Sequence, residues 1–134
     1  MNGTDVMRQF LPTSPFVAHL GIEIRSLEDG YAELALPFRT EVITIGETVH
    51  GGAIASLIDC TAMAAAWSGV PLPGNVRGTT VSISVSYLAA ANGTDLVARG
   101  HVLRRGKNLH YVDVDVTDAN GHAVAKALIT YKIG

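Results

Sequence analysis

Between Thr48 and Val76, one side chain among 29 carries a full charge at neutral pH, and it is Asp59. A carboxylate in the middle of an apolar segment is costly unless it is paired or hydrogen-bonded. No lysine or arginine lies within one or two helical turns of it. Two roles fit: a group on a solvated stripe or capping a neighbouring element, or a poised carboxylate whose proton affinity desolvation raises. The same segment opens with His50-Gly51-Gly52. Paired glycines let a ligand approach the backbone closely. The first amides of a helix have no internal acceptor and lie at the positive end of the dipole. Such a terminus stabilises a developing oxyanion. Taken alone, the glycine pair is equally consistent with tight packing of a loop.

Spacing connects the two features. Gly51 and Asp59 are eight residues apart, about 12 Å along a helix axis. An oxyanion donor and a base or nucleophile must converge within a few ångströms of one carbonyl group. If both serve one substrate, they must come from different subunits, as they would in a two-fold dimer with antiparallel facing helices. Composition points the same way: 48% of residues are apolar and only 16% charged, an excess that an efficient core or a subunit interface absorbs.

The elements that must position these residues follow from periodicity and turn signals. Residues 1–13 read as a loose leader. Ser14-Pro15 starts a short helix that Gly21 ends. Gly21 to Leu27 and Tyr31 to Leu36 alternate as two strands around the turn Glu28-Asp29-Gly30. Phe38 to Val49 has no clean period and reads as a loop. A long helix from Gly51 to Trp67 is apolar nearly all round, the mark of a buried helix. Ser68 to Gly74, with Pro71 and Pro73, ends it. Strands follow: Val81 to Tyr87 alternating with serines, Leu96 to Leu103, His110 to Val116, and Ala123 to Lys132. Turns at Asn92-Gly93, Arg105-Gly106-Lys107 and Asp118–Gly121 separate them. A helix this apolar needs cover, and a curved antiparallel sheet wrapped around it supplies that cover. The expected fold is α+β of the hotdog type, one domain over 1–134.

The run His50-Gly51-Gly52-Ala53-Ile54-Ala55-Ser56-Leu57-Ile58-Asp59 resembles the HGG-x6-D signature of the hotdog acyl-CoA thioesterases. The branch it most resembles is the phenylacetate-pathway type, with the 4-hydroxybenzoyl-CoA-thioesterase-like enzymes. The resemblance extends from about Gly21 to the end of the chain and includes the strand from Thr79 and the turn Arg104-Arg105-Gly106-Lys107. It implies that Asp59 is the nucleophile or general base, that the Gly51 amide polarises the thioester carbonyl, and that His50 orients the loop or contacts the thioester. A serine or threonine that positions water in many relatives corresponds to Thr80, with Thr79 the neighbouring candidate. Many relatives carry asparagine or glutamine about six residues before the histidine. Here that place holds Thr44, and Glu47 could supply a second carboxylate. Coenzyme A enters as part of the substrate, with no separate cofactor.

Other candidates complete the expectation. Gly52 joins the substrate-binding backbone. Arg105 and Lys107, with Arg104 beside them, flank a turn that is either a solvated hairpin or a clamp for coenzyme A phosphates, and Arg77 is a further contributor. Cys60 neighbours Asp59 but points about 100° away on a helix, so it packs rather than reacts. His101, His110 and His122 are scattered over strands, which argues against a metal site. A net charge of −2 offers no basic field for nucleic acid. One cysteine excludes an intrachain disulfide. The 1–13 segment lacks the apolar stretch of a signal peptide, and 48–76 is too interrupted to span a membrane. A cytoplasmic location is the default. The expected partners are a small-molecule acyl-CoA and a second copy of the chain, as a dimer or a tetramer of two dimers. The alternatives are a hotdog protein that binds acyl-CoA or an aromatic ligand without turnover, and a hotdog dehydratase or hydratase. The last needs an aspartate-histidine pair that His50 is misplaced to give.

Overall fold

The computed structural model describes residues 1–72 and 76–134, so the expected turn residues Pro73 and Gly74 lie outside the described part. Three α-helices, α1 (Gly3–Phe10), α2 (Pro15–Leu20) and α3 (Gly51–Trp67), combine with eight strands. These are β1 (Glu23–Glu28), β2 (Tyr31–Leu36), β3 (Ile43–Ile45), β4 (Thr48–Val49), β5 (Gly78–Tyr87), β6 (Leu96–Arg105), β7 (Leu109–Asp118) and β8 (Ala123–Ile133). Six form an antiparallel sheet in the order β1-β2-β6-β7-β8-β5, and β3 and β4 make a separate small hairpin. The strand that follows the long helix thus crosses to the far edge of the sheet, where β8 is its one neighbour among the described residues. This is the hotdog architecture, with α3 wrapped by the sheet.

Apolar residues on the inner face explain the wrap. Val112, Val114 and Val116 of β7 and Ala127, Ile129 and Tyr131 of β8 are buried, as are Leu57, Ile58, Ala62, Ala64, Ala65 and Ala66 of α3. The helix runs over the residues expected from its sequence. It is buried except along one stripe, where Gly52, Ala55, Ser56, Asp59 and Met63 stay partly or fully exposed.

Two expectations are corrected. Residues 1–13 are not loose. They fold as α1 and a short 3-10 turn, Leu11–Thr13. A reciprocal capping box between Asn2 and Asp5 starts α1, satisfying two otherwise orphaned donors. Met7 and Leu11 enter the core. The Gly3 amide donates to the Val70 carbonyl and the Gly69 amide to Thr4 Oγ1. A Cβ at position 3 would lie 1.8 Å from the Trp67 carbonyl oxygen, so only glycine lets α1 press onto the end of α3. Likewise, 38–49 is not all loop but carries the β3–β4 hairpin and a 3-10 turn at Thr40–Val42.

The far end of α3 is closed by Arg105. Its Nη1 donates to the Ala66 carbonyl and its Nη2 to the Ser68 carbonyl, each at 2.8 Å. The Ala66 carbonyl is one that a helix end leaves without a partner, and the Ser68 carbonyl just beyond it also accepts from the Gly30 amide; both are met by a charge of the favourable sign. Charged hydrogen bonds of this kind contribute about 2 kcal/mol. Replacing Arg105 with methionine should therefore lower Tm by roughly 5–10 °C while the far-ultraviolet circular dichroism of the native state is kept. An unchanged melting curve would show that the helix end needs no cationic cap.

Candidate functional site

Asp59 sits half-buried on the open stripe of α3. Its Oδ1 accepts a hydrogen bond from Thr80 Oγ1 at 2.6 Å. Its Oδ2 has no hydrogen-bond partner among the described residues, and Asp59 forms no ion pair there. A β-bulge between Thr80 and Ser82 brings the threonine to this position. Strict alternation would put Thr80 on the outer face with Ser82 and Ser84, and Thr79 on the helix side. Inserting Val81 as the extra residue turns Thr80 inward with Ile83, opposite Tyr131. Thr79 is exposed. Burial pushes the Tyr131 phenol up, the hydrogen bond from Trp67 acts against it, and the nearby Asp59 charge adds to the rise. Cys60 is buried, and its thiol is pushed up to about 12, chiefly by burial and then by Asp59. It is held as an inert packing residue.

The other end of α3 is organised around His50, the N-cap. The Gly52 amide donates to His50 Nδ1 at 2.7 Å, and the Ala53 and Ile54 amides donate to the His50 carbonyl. That leaves the Gly51 amide, alone among the first four of the helix, without a partner among the described residues. Gly52 is therefore spent on the cap rather than offered as a ligand donor. A Cβ there would meet His50 Nδ1 at 2.9 Å, which gives the second glycine a structural reason. Tyr87, at the end of β5, donates its hydroxyl to the Gly51 carbonyl at 2.8 Å and so ties the helix start to the edge strand. Nothing in the sequence flagged Tyr87 for this, since its partner is 36 residues away.

Thr44 is exposed on β3, and its hydroxyl makes no hydrogen bond among the described residues. Its hairpin leads into His50, whose amide donates to the Val42 carbonyl at 2.7 Å. Thr44 and the exposed Glu47 therefore belong to the Gly51 end of α3. The cations divide. Arg105 is turned onto the helix end, its side chain 31% exposed, and does not stand free as a phosphate ligand. Arg77 and Lys107, both exposed, share one end of the sheet. The Gly134 amide there donates to the Arg77 carbonyl, and the Ile133 amide donates to the Asn108 carbonyl. Arg104 and Lys107 line a surface hollow of about 510 Å³ with Asn108 and Tyr111. His101 and His122 lie beside Asp113 and Asp118, while His110 is buried. Burial, then the Arg105 charge, lowers the His110 pKa.

With α3 continuous over 17 residues, the free Gly51 amide and Asp59 are held about 12 Å apart in one protomer. The outer rim of β5 has no paired strand among the described residues, and Val81, Ile83, Tyr87 and Leu88 are between 41% and 57% exposed. No helix among the described residues is long and apolar enough to cross a membrane.

The family described as "Domain of unknown function (DUF4442)" matches residues 3–133. A protein of Saccharolobus solfataricus whose name marks it provisionally as an esterase is 30% identical over 114 residues, 85% of this chain and 74% of its own. Acyl-coenzyme A thioesterase 13 of Homo sapiens is 34% identical over 92 residues, 65% of this chain and 61% of its own. The solved E. coli PaaI protein from the phenylacetic acid degradation operon superposes with a TM-score of 0.84 at 20% identity, over 97% of this chain and 91% of its own.

Proposed function

The chain belongs to the DUF4442 family and has the fold of the hotdog thioesterases, and from this premise we propose that it hydrolyses an acyl-CoA thioester to the free acid and coenzyme A. One observation carries the reading. The single carboxylate of α3 is fixed at Oδ1 by Thr80, with Oδ2 left to act on the open stripe. That oxygen either attacks the thioester carbon or takes the proton of the water that does. The carbonyl electrons move onto oxygen opposite the Gly51 amide, at the positive end of α3. Collapse expels the coenzyme A thiolate: in the water route it recovers the proton that Asp59 took, and in the nucleophilic route a water then opens the acyl–Asp59 anhydride, giving the acid, the free carboxylate and the proton for the thiolate. His50 holds the helix start in shape.

The two halves of the reaction meet when two protomers pair antiparallel along β5. A two-fold axis near the middle of β5 would bring the Thr80 end of one strand towards the Tyr87 end of its partner. Asp59 then lies near the partner's Gly51, which Tyr87 holds. The small residues Gly52, Ala55 and Ser56 on the open stripe let two such helices approach. Thr44 and Glu47, at the Gly51 end, would reach the carboxylate across the same interface. The coenzyme A phosphates fall to Arg77 and Lys107. Arg77 is three residues, about 10 Å of strand, from Thr80.

Asparagine at position 59 is nearly isosteric but can neither attack nor accept a proton. Asp59→Asn should remove turnover of an acyl-CoA panel, read as released thiol, with Tm kept or raised. A mutant that keeps most of the parent rate would acquit Asp59. A parent that binds acyl-CoA without turnover would favour the non-catalytic reading, for which the absence of asparagine or glutamine at the Thr44 position speaks.

The smallest active species should be a dimer. Sedimentation at micromolar concentration that finds an active monomer would rule out the shared site. For the phosphates, the double variant Arg77→Ala, Lys107→Ala should raise KM for acyl-CoA with kcat little changed, because these contacts are made equally in ground and transition states. An equal KM would place the phosphates elsewhere.

A further inference from the structure

Asp59, Met63 and Trp67 lie four residues apart on α3 and so share one stripe of the helix. One turn beyond the carboxylate, the stripe runs into a cavity of about 220 Å³ between α1, the end of α3 and the start of β5. Its walls are Val6, Met7 and Phe10 of α1, Met63 and Trp67 of α3, and Tyr131 of β8. Tyr131 faces Thr80 across the sheet, so the cavity and the Asp59–Thr80 pair share a wall. Two polar side-chain atoms border it, and they satisfy each other: Trp67 Nε1 donates to Tyr131 Oη at 3.0 Å. Among the described residues no charged group lines it. An occupant therefore has no ionic partner to meet and gains by burying apolar surface. The two methionines give the walls adaptable side chains.

We propose that this cavity holds the acyl chain of the substrate, and that α1 sets how long that chain can be. The inference rests on the thioesterase reading of Asp59 and names its substrate class: medium-length aliphatic acyl groups. At about 30 Å³ for a water-sized group, the cavity has room for roughly seven non-hydrogen atoms, the tail of a hexanoyl to octanoyl group. α1 is fixed over the cavity at its start, through Gly3 and Thr4. Phe10, 48% exposed, stands at the other end of the helix.

The test compares chain lengths. Hydrolysis of acetyl-, butyryl-, hexanoyl-, octanoyl- and palmitoyl-CoA is measured for the parent, for Val6→Phe, which fills the cavity, and for Phe10→Ala, which opens its rim at an already exposed position. Calorimetric binding of the same series is measured in parallel. The parent should prefer hexanoyl or octanoyl. Val6→Phe should lose about tenfold or more in kcat/KM for octanoyl-CoA, in the range expected of a few misfitted methylenes, with butyryl-CoA little affected. Phe10→Ala should shift the preference toward longer chains. A flat chain-length profile in the parent, or equal losses for acetyl and octanoyl in Val6→Phe, would overturn the proposal, the latter by assigning the cavity to the pantetheine arm. If Val6→Phe fails to fold, Phe10→Ala decides: an unshifted profile removes α1 from the specificity. Binding that strengthens with chain length up to octanoyl, without turnover, would keep the cavity assignment and remove the hydrolase reading. Binding of no acyl-CoA at all would remove both.

Discussion

A 17-residue helix with one charged side chain cannot stand in water, and covering it is the condition the other elements meet. Six strands curve over α3, α1 folds onto its far end, and Arg105 closes its last carbonyls. Leu57, Ile58, Ala62, Ala64, Ala65 and Ala66 are essentially without solvent contact. Burying such apolar surface stabilises the fold by about 25 cal/mol per Å². What the sheet fails to cover is equally informative. The uncovered stripe begins at Gly52 and passes through Asp59 to Met63, so the surface left open by the packing is the one that holds the helix's only carboxylate.

The same helix imposes a division of labour. Its start supplies an unoccupied amide and its middle supplies a carboxylate, and a rigid rod keeps them apart. Each is anchored to β5 by a hydroxyl: Tyr87 to the Gly51 carbonyl and Thr80 to Asp59. The edge strand thus works as a ruler whose two marks fall at the start and the middle of α3.

Much of this was legible in the residues. The limits of α3 could be read from His50-Gly51-Gly52 and from Trp67-Ser68, because helix starts and apolar periodicity are local signals. The hotdog fold followed from an apolar helix set among alternating strands. Other features were hidden for identifiable reasons. α1 shows a short, mostly polar sequence, and its cap is Asn2 with Asp5 rather than the more familiar serine or threonine with glutamate. Its stability comes from α3 more than from itself. The choice between Thr79 and Thr80 turned on the bulge at Val81, which strand alternation cannot foresee. Arg105 looked like one cation of a basic turn. Only the folded chain shows that it reaches carbonyls 37 and 39 residues away, while Lys107 stays exposed.

Sheet order carries a further consequence, for the sequence of events by which the protein is made. Asp59 and Thr80 are 21 residues apart, yet the strand bearing Thr80 is held in the sheet by β8 alone, residues Ala123–Ile133. β2 likewise waits for β6 before it has a neighbour on its inner side. As the chain leaves the ribosome, α3 emerges long before its cover and must be shielded by transient contacts. The hydroxyl that fixes the carboxylate arrives early but cannot be seated until β8 has been synthesised. A nascent chain halted at residue 122 would contain Gly51, Asp59 and Thr80 without the strand that seats Thr80 against the carboxylate.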